Sequence, residues 1–447
     1  MFSGDIQSVR ASWAFRRSEV LIGTFIGILV ALLLVSPRLT PFFLLALAIA
    51  WLWIRLPQRG LAAAMPEIDG LTASIGALLF YALLSSLWAV APAATIGKVG
   101  LMLATVLISL VTVRLLWAEG RMEILHPAEG LWLGLLVGLL FYCAESVSGQ
   151  AIKIWVVNTF KIGPELLQPD KAYSWSKDGR LLSVAEAAFT RSATPITLLL
   201  WPALMAALGA IARPWSKPIA MLMFVLAIAA VFLSPQESSK TAIVAGVAAF
   251  ALTHISARWA LRMIALFWIT ACLAVVPLAM LAHRLDLHNA AWLQTSAQHR
   301  IIIWNFTAEQ ALQAPLFGIG AYMTYIVGPT ITAKAVNSPG EHLQRKLSRH
   351  SHDVYLQTWF ELGAVGALLL MTAGLTVLGR IGRLGSAVQP FGFAAFCSAA
   401  TLMASSYGIW QSWYMAMFGL AAVAFAIGAR AFETAGGWGT IGKAPVS

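Results

Sequence analysis

Apolar residues recur in unbroken runs of about 20 positions from near Val20 to near Gly428, separated by short polar connections. A helix needs roughly that length to cross the hydrocarbon of a bilayer. The runs are continuously apolar and do not alternate, so they predict helices and not the strands of a barrel. They fall near 20–36, 39–54, 70–90, 95–117, 127–147, 187–211, 217–233, 240–257, 262–282, 353–379, 388–407 and 410–428, with 39–54 and 217–233 the shortest. The pattern therefore predicts an all-α integral membrane protein with a bundle of about 12 transmembrane helices. Residues 1–430 read as a single transmembrane domain and 431–447 as a flexible tail. Two long polar stretches interrupt it, at about 148–186 and 283–352. The second contains a helical pattern between Trp292 and Gln313, with apolar residues at helical spacing (Ile301, Ile302, Trp304, Phe306 and Ala311), ending at Pro315 and Gly318. It predicts a helix lying on the membrane surface or against the bundle.

Composition supports this reading. The chain is 447 residues long, 59% hydrophobic and 11% charged, with mean hydropathy +0.78. The net charge of +11 forms no single patch, which disfavours nucleic acid as a partner. The basic residues are divided unequally instead. One set of short connections carries Arg10, Arg16, Arg17, Arg55, Arg59, Arg114, Arg121, Arg213, Lys217, Arg258, Arg262, Arg380, Arg383 and Arg430. The opposite set carries only Arg38, Lys98 and Lys240. By the positive-inside rule the first set is cytoplasmic, with both termini, and the two long loops are outside. Cys143, Cys272 and Cys397 lie in apolar runs, an arrangement unsuited to a disulfide framework or a metal site. No small-residue cleavage site follows the first run, which reads as the first span and not as a signal peptide.

Candidate chemistry gathers outside. Arg349-His350-Ser351-His352-Asp353 stands at the mouth of the tenth span. Projected at about 100° per residue, Gly363 and Gly366 share a face with His352, forming a smooth strip that admits another helix or a lipid chain. The plainer reading is an interfacial histidine over a packing seam. Arg191 begins the sixth span and Arg300 lies in the loop helix. Taken singly, the first reads equally as a snorkelling end charge and the second as part of a solvated face. Lys240 tops a short outer turn and reads also as an interfacial anchor. Taken together, Arg191, Arg300, Lys240 and a neutral histidine suit a phosphate or diphosphate with a general base beside it. No tight cluster of acids is present outside for a hard cation, and no cofactor is expected.

These residues resemble the O-antigen ligase superfamily of bacterial glycosyltransferases. His352-Asp353, nine residues, then Gly363-Ala364-Val365-Gly366 is similar to the family's histidine motif. Asp353 stands where the family usually has Asn, Ser or Gln, and His350 is the other candidate histidine. Arg300 to Trp304 followed by Pro315-Leu316-Phe317-Gly318-Ile319-Gly320 resembles the segment before that motif. Arg191 and Ser239-Lys240 resemble two further family positions. The resemblance implies a GT-C-like fold in the bacterial inner membrane with a periplasmic active site. It also implies metal-independent, inverting transfer of a glycan from undecaprenyl pyrophosphate to a sugar hydroxyl of lipid A–core. On that reading His352 is the base, and Arg191 and Arg300 hold the pyrophosphate. Lys240, His350, Arg349, Gly363 and Gly366 line the substrates. Arg345, Lys346 and Arg349 attract the acceptor, and Tyr173 or Trp175 stacks on sugars. Related readings are an O-antigen polymerase or a protein O-oligosaccharyltransferase. A transporter is the reading from another class, with Glu361 as the one acid well inside a span.

Overall fold

The computed structural model describes residues 3–60, 62, 65, 67–163, 172–328 and 350–436. Its helices follow the apolar runs. The first are α1 (Ser3–Val35), α2 (Thr40–Arg59), α3 (Gly70–Leu84), α4 (Pro92–Trp117) and α5 (Arg121–Val147). The first long loop holds a short helix, α6 (Ala151–Thr159), and an antiparallel hairpin, β1 (Tyr173–Trp175) with β2 (Leu181–Val184), pairing Tyr173 with Val184. A tight 3-10 segment, Glu186–Ser192, leads straight into α7 (Ala193–Ala210). Then come α8 (Ser216–Leu233), α9 (Glu237–Ile255), α10 (Ala257–Leu273) and α11 (Val275–Arg284). The second loop holds α12 (Thr295–Ala311) and α13 (Met323–Val327). Closing the chain are α14 (Val354–Ile381), α15 (Gln389–Ser405) and α16 (Ser412–Thr434).

Ten described helices are long and apolar enough to cross a membrane. Counting α10 and α11 as one bent span gives eleven. The remaining expected span, 388–407, is α15, whose 17 residues sit at the lower limit for crossing. The ninth expected span is not one straight helix: α10 and α11 meet at 73°. Pro277, three residues into α11, explains the break, because it offers no N–H and its ring crowds the preceding turn. Trp359 donates its indole N–H to the Cys272 carbonyl there, at 2.7 Å.

The largest core cluster joins α1, α2, α5, α7, α8 and α16. Gly23 and Gly27 of α1 meet Gly130 and Gly134 of α5, and a Cβ on Gly130 would stand 2.0 Å from the Gly23 carbonyl oxygen. Small residues four apart thus let the two backbones touch, as membrane helices often do. Helix α7 is buried along nearly its whole length, surrounded by α5, α8, α15 and α16. Its first turn, with Arg191 just before it, therefore opens at the centre of one end of the bundle.

The two sets of basic residues lie at opposite ends. At one end Arg55 bridges Glu19 (2.6 Å) and Glu119 (3.0 Å), Arg59 meets Glu119, Arg114 meets Glu67, and Arg380 meets Asp69. The other end carries Arg38, Arg191, Lys240 and the histidines. Helix α12 packs on α11 and α14, so the loop helix lies against the bundle.

Helix α14 is broken within. Gly363 has φ 64° and ψ −162°, a conformation essentially confined to glycine. Into the break docks the segment Pro315–Gly320. Ala364 N donates to Pro315 O (2.8 Å), Val365 N to Leu316 O (3.2 Å), Ile319 N to Phe360 O (3.1 Å) and Gly320 N to Glu361 O (2.8 Å). A Cβ on Gly363 would lie 2.4 Å from the Leu316 carbonyl, and one on Gly318 would lie 2.3 Å from the Glu361 carbonyl carbon. The two glycine motifs are thus halves of one backbone clamp.

Candidate active site

Helices α7, α9, α12, α14, α15 and α16 bring their ends to one place. The hub is Ser406, between α15 and α16. Its hydroxyl accepts from Gln236 Nε2 (3.2 Å), which also bonds Thr194 at the start of α7 (3.1 Å). Ser238 of α9 donates to the neighbouring Ser405 carbonyl (2.6 Å). Gln236 and Ser406 are buried, so these bonds fix the ends of three helices rigidly.

His352 is tied to the same hub. Its Nδ1 lies 2.9 Å from the Ser406 carbonyl oxygen. A carbonyl only accepts, so Nδ1 carries the proton and Nε2 is left with its lone pair. His352 precedes the helix and has φ 59°, an uncommon conformation for a non-glycine residue. The flanking residues hold it there: Ser351 Oγ donates to the Asp353 carbonyl (2.5 Å), and Asp353 caps α14 by accepting from Leu356 N (3.0 Å). Capping needs a short side chain with an acceptor oxygen. Asp353 meets that need as Asn or Ser would. Burial pushes the Asp353 carboxyl up to about 7, against the pull of the Leu356 and Tyr355 N–H groups.

His350 stands edge-on to His352, ring centroids 4.1 Å apart, with its Nδ1 buried and lacking a hydrogen bond. Its β-carbon packs on Gly408. Burial first, then the neighbouring His352 and Arg300, push its basicity down to about 3. Burial and Arg300 also lower His352, while the Ser406 carbonyl works the other way. Both imidazoles are therefore neutral at pH 7.

Arg300 is half-buried on α12, on the face carrying Trp304, Thr307 and Ala311 and not on a solvated one. Its charge reaches both histidines. Burial lowers its pKa, and Tyr407 and Glu237 counter that. Tyr407 marks where the cations converge. Burial raises its hydroxyl to about 12, against Arg191, Arg300 and Arg38 in that order. Arg191 Nε is buried without a hydrogen-bond partner. Among the described residues, no carboxylate pairs with Arg191 or Arg300. Nor does any group of three His, Cys, Asp or Glu residues gather to hold a metal.

Other expectations are corrected. Lys240 is no free cation, because its Nζ pairs with Glu237 at 2.7 Å. The strip below His352 does not exist: α14 begins after His352 and breaks at Gly363. Both Gly363 and Gly366 are buried, the first against Leu316 and Phe317, the second against Leu362. Trp175 packs with Val157, Leu181 and Val184, and Tyr173 is engaged by Lys153 Nζ at 2.8 Å. Arg345, Lys346 and Arg349 lie outside the described residues. Sequence reasoning missed Tyr407, Ser406 and Gln236, whose roles come from distant chain segments meeting. Arg38 carried a signal, being one of few cations on its side.

A long cavity of about 1200 Å³ runs inside the bundle beside α3, α4, α14 and α16. It reaches Val354, Gln357 and Trp410 at the site end and Arg114 and Arg380 at the other. Between them its walls are mainly apolar, including Leu78, Met102, Leu362 and Phe418.

Fold and site together define a polytopic helical membrane protein in which guanidinium groups that no described carboxylate pairs and a neutral histidine converge at one end of the bundle. A family model described as O-antigen ligase matches residues 222–371. That stretch contains Lys240, Arg300, His350, His352 and the glycine clamp. Over that stretch the chain is similar to the O-antigen ligase superfamily. It is 27% identical over 198 residues to a Rickettsia conorii protein, 31% over 142 to one from Rickettsia typhi, and 27% over 199 to one from Rickettsia felis. All three are named, provisionally, as polysaccharide ligases. The matches cover 44%, 30% and 44% of this chain and 47%, 34% and 48% of the relatives, so the chain spans about half their length or less.

Proposed function

We propose that the protein transfers a glycan from a polyprenyl diphosphate carrier to a sugar hydroxyl of lipid A–core, by metal-independent inverting displacement on the periplasmic face of the bacterial inner membrane. The observation that carries this is the His352 arrangement. The Ser406 carbonyl holds one ring nitrogen protonated and leaves the other free, beside guanidinium groups that no described carboxylate neutralises. His352 Nε2 takes the acceptor's hydroxyl proton. The oxygen attacks the anomeric carbon from the face opposite the leaving group. The bond from that carbon to the diphosphate oxygen breaks, and the diphosphate departs with the electron pair. Arg300 and Arg191 stabilise the charge that develops, which a divalent cation would otherwise have to offset. The carrier's isoprenoid chain lies in the apolar cavity beside α14, not on the glycine face that the sequence suggests.

The test is a transfer assay with purified protein, a prenyl-diphosphate glycan and rough lipopolysaccharide, with chelator present. His352→Ala and Arg300→Ala abolish product while the protein stays folded. Full activity in His352→Ala with an inactive His350→Ala would move the base to the other histidine. Activity lost in chelator and restored by a divalent cation would overturn the metal-free mechanism.

A further inference from the structure

Arg38 belongs to none of the motifs discussed above, yet it faces the same place. It sits in the short turn Pro37–Leu39 between α1 and α2. The turn is rigid: Ser36 N donates to Leu32 O (2.8 Å), Leu39 N to Ser36 O (3.1 Å), and Thr40 Oγ1 to Pro37 O (2.5 Å). Thr40 also touches Met417 Sδ of α16, at 3.8 Å. The segment bearing Arg191 packs against α1, so both arginines flank the same helix end. They are close enough for each charge to act on the other, and Tyr407 feels both. Arg38 is exposed and has no carboxylate partner among the described residues. Like charges held together without counter-ions raise the energy of the empty site and lower it when an anion arrives. The cations are also ordered. Arg300 acts on both histidines, and Arg38 and Arg191 stand together beside α1.

Resting on the diphosphate reading above, we infer that Arg38 is a third anion-binding residue and holds the carrier-side phosphate of the lipid-linked donor, with Arg300 on the sugar-side phosphate. A polyprenyl monophosphate retains only the phosphate that Arg38 would hold. The probes are therefore undecaprenyl phosphate and undecaprenyl diphosphate, binding to full-length protein in nanodiscs. Arg38→Gln weakens both by about tenfold to a hundredfold, the worth of one charge-assisted hydrogen bond. Arg300→Ala weakens the diphosphate alone, and Arg38→Lys recovers part of the loss. In transfer, Arg38→Gln raises the donor KM more than it lowers kcat. An Arg38→Gln protein that keeps its thermal midpoint and binds the monophosphate like the parent overturns the assignment. A parent that binds neither lipid refutes the diphosphate site itself, and this inference with it.

Discussion

Replacing Gly363 by alanine tests the clamp that joins the two glycine motifs. The new methyl group would start 2.4 Å from the carbonyl carbon and oxygen of Leu316 and 2.6 Å from Phe317 N, all backbone atoms that cannot swing aside. A non-glycine residue at φ 64°, ψ −162° costs about 1–3 kcal/mol in strain alone. Relief of the clash requires Pro315–Gly320 to lift away. Four backbone hydrogen bonds go with it, at about 1 kcal/mol each. Together the loss is about 5–7 kcal/mol, comparable to the whole stability of many proteins. Gly379 is the internal control, because it lies in the same helix and a methyl group added there would meet nothing within 4 Å. Gly379→Ala gains up to about 1 kcal/mol from helix propensity. The assay is thermal or denaturant unfolding in detergent, followed by intrinsic fluorescence. A Gly363→Ala protein as stable as its parent, or one no worse than Gly379→Ala, refutes the clamp.

Other tests reach the site directly. Because His352 is held below the ordinary histidine value, its base form persists under mild acid, and the acid limb of the transfer rate has its midpoint below about 6.5. A limb at or above 7 contradicts the assigned environment. The Asp353 carboxyl, raised to about 7, binds a proton in the folded state that the unfolded chain has already released. Its contribution to stability is therefore present below about 4 and lost as pH rises to about 7. Asp353→Asn keeps the cap, removes that loss, and has a flatter unfolding midpoint across this range. A parallel pH dependence in the two proteins would exclude an elevated carboxyl. Lys240→Met, which breaks only a pair within one helix turn, leaves transfer within about threefold of the parent, whereas Arg300→Ala abolishes it. Equal losses would put Lys240 back among the phosphate ligands.

The spans were legible because burial in lipid demands continuous apolar runs, and each predicted run found its helix. Length and composition could not reveal the break at Ala274, since Val275-Val276-Pro277 is as apolar as its neighbours. The loop helix was legible from its periodicity, and α12 begins three residues after its predicted start. Arg191, Arg300 and His352 were found as types at plausible positions. Their convergence depends on Ser406 and Gln236, about 170 residues apart along the chain. No local pattern encodes that pairing. The glycines were legible as a motif but not as a role. Helical spacing alone predicts a smooth helix through Gly363, where the backbone instead turns aside to receive Pro315–Gly320.

The distribution of counter-charges favours the proposed transfer over transport. A transporter needs ionisable groups inside the membrane that change partners during its cycle. Glu361, the acid deepest in a span, accepts from Tyr322 N, Thr324 N, Gln357 Nε2 and Trp410 Nε1. Four donors from three chain segments fill its oxygens and pin the glycine clamp to α14 and to the Trp410 loop. Glu145 is likewise committed, accepting from Ile152 N and Lys153 N. At the end opposite the site, Arg55, Arg59, Arg114 and Arg380 each meet a carboxylate. The site end does the reverse, holding half-buried Arg191 and Arg300 without one among the described residues. Partial burial of an uncompensated guanidinium is unfavourable, and the same residues in the opposite arrangement would cost less. Such a placement is stable in function only where an anionic ligand completes it. Fixed buried acids, and cations that no described carboxylate pairs standing beside a neutral imidazole, are what the proposed anion binding and proton removal would require.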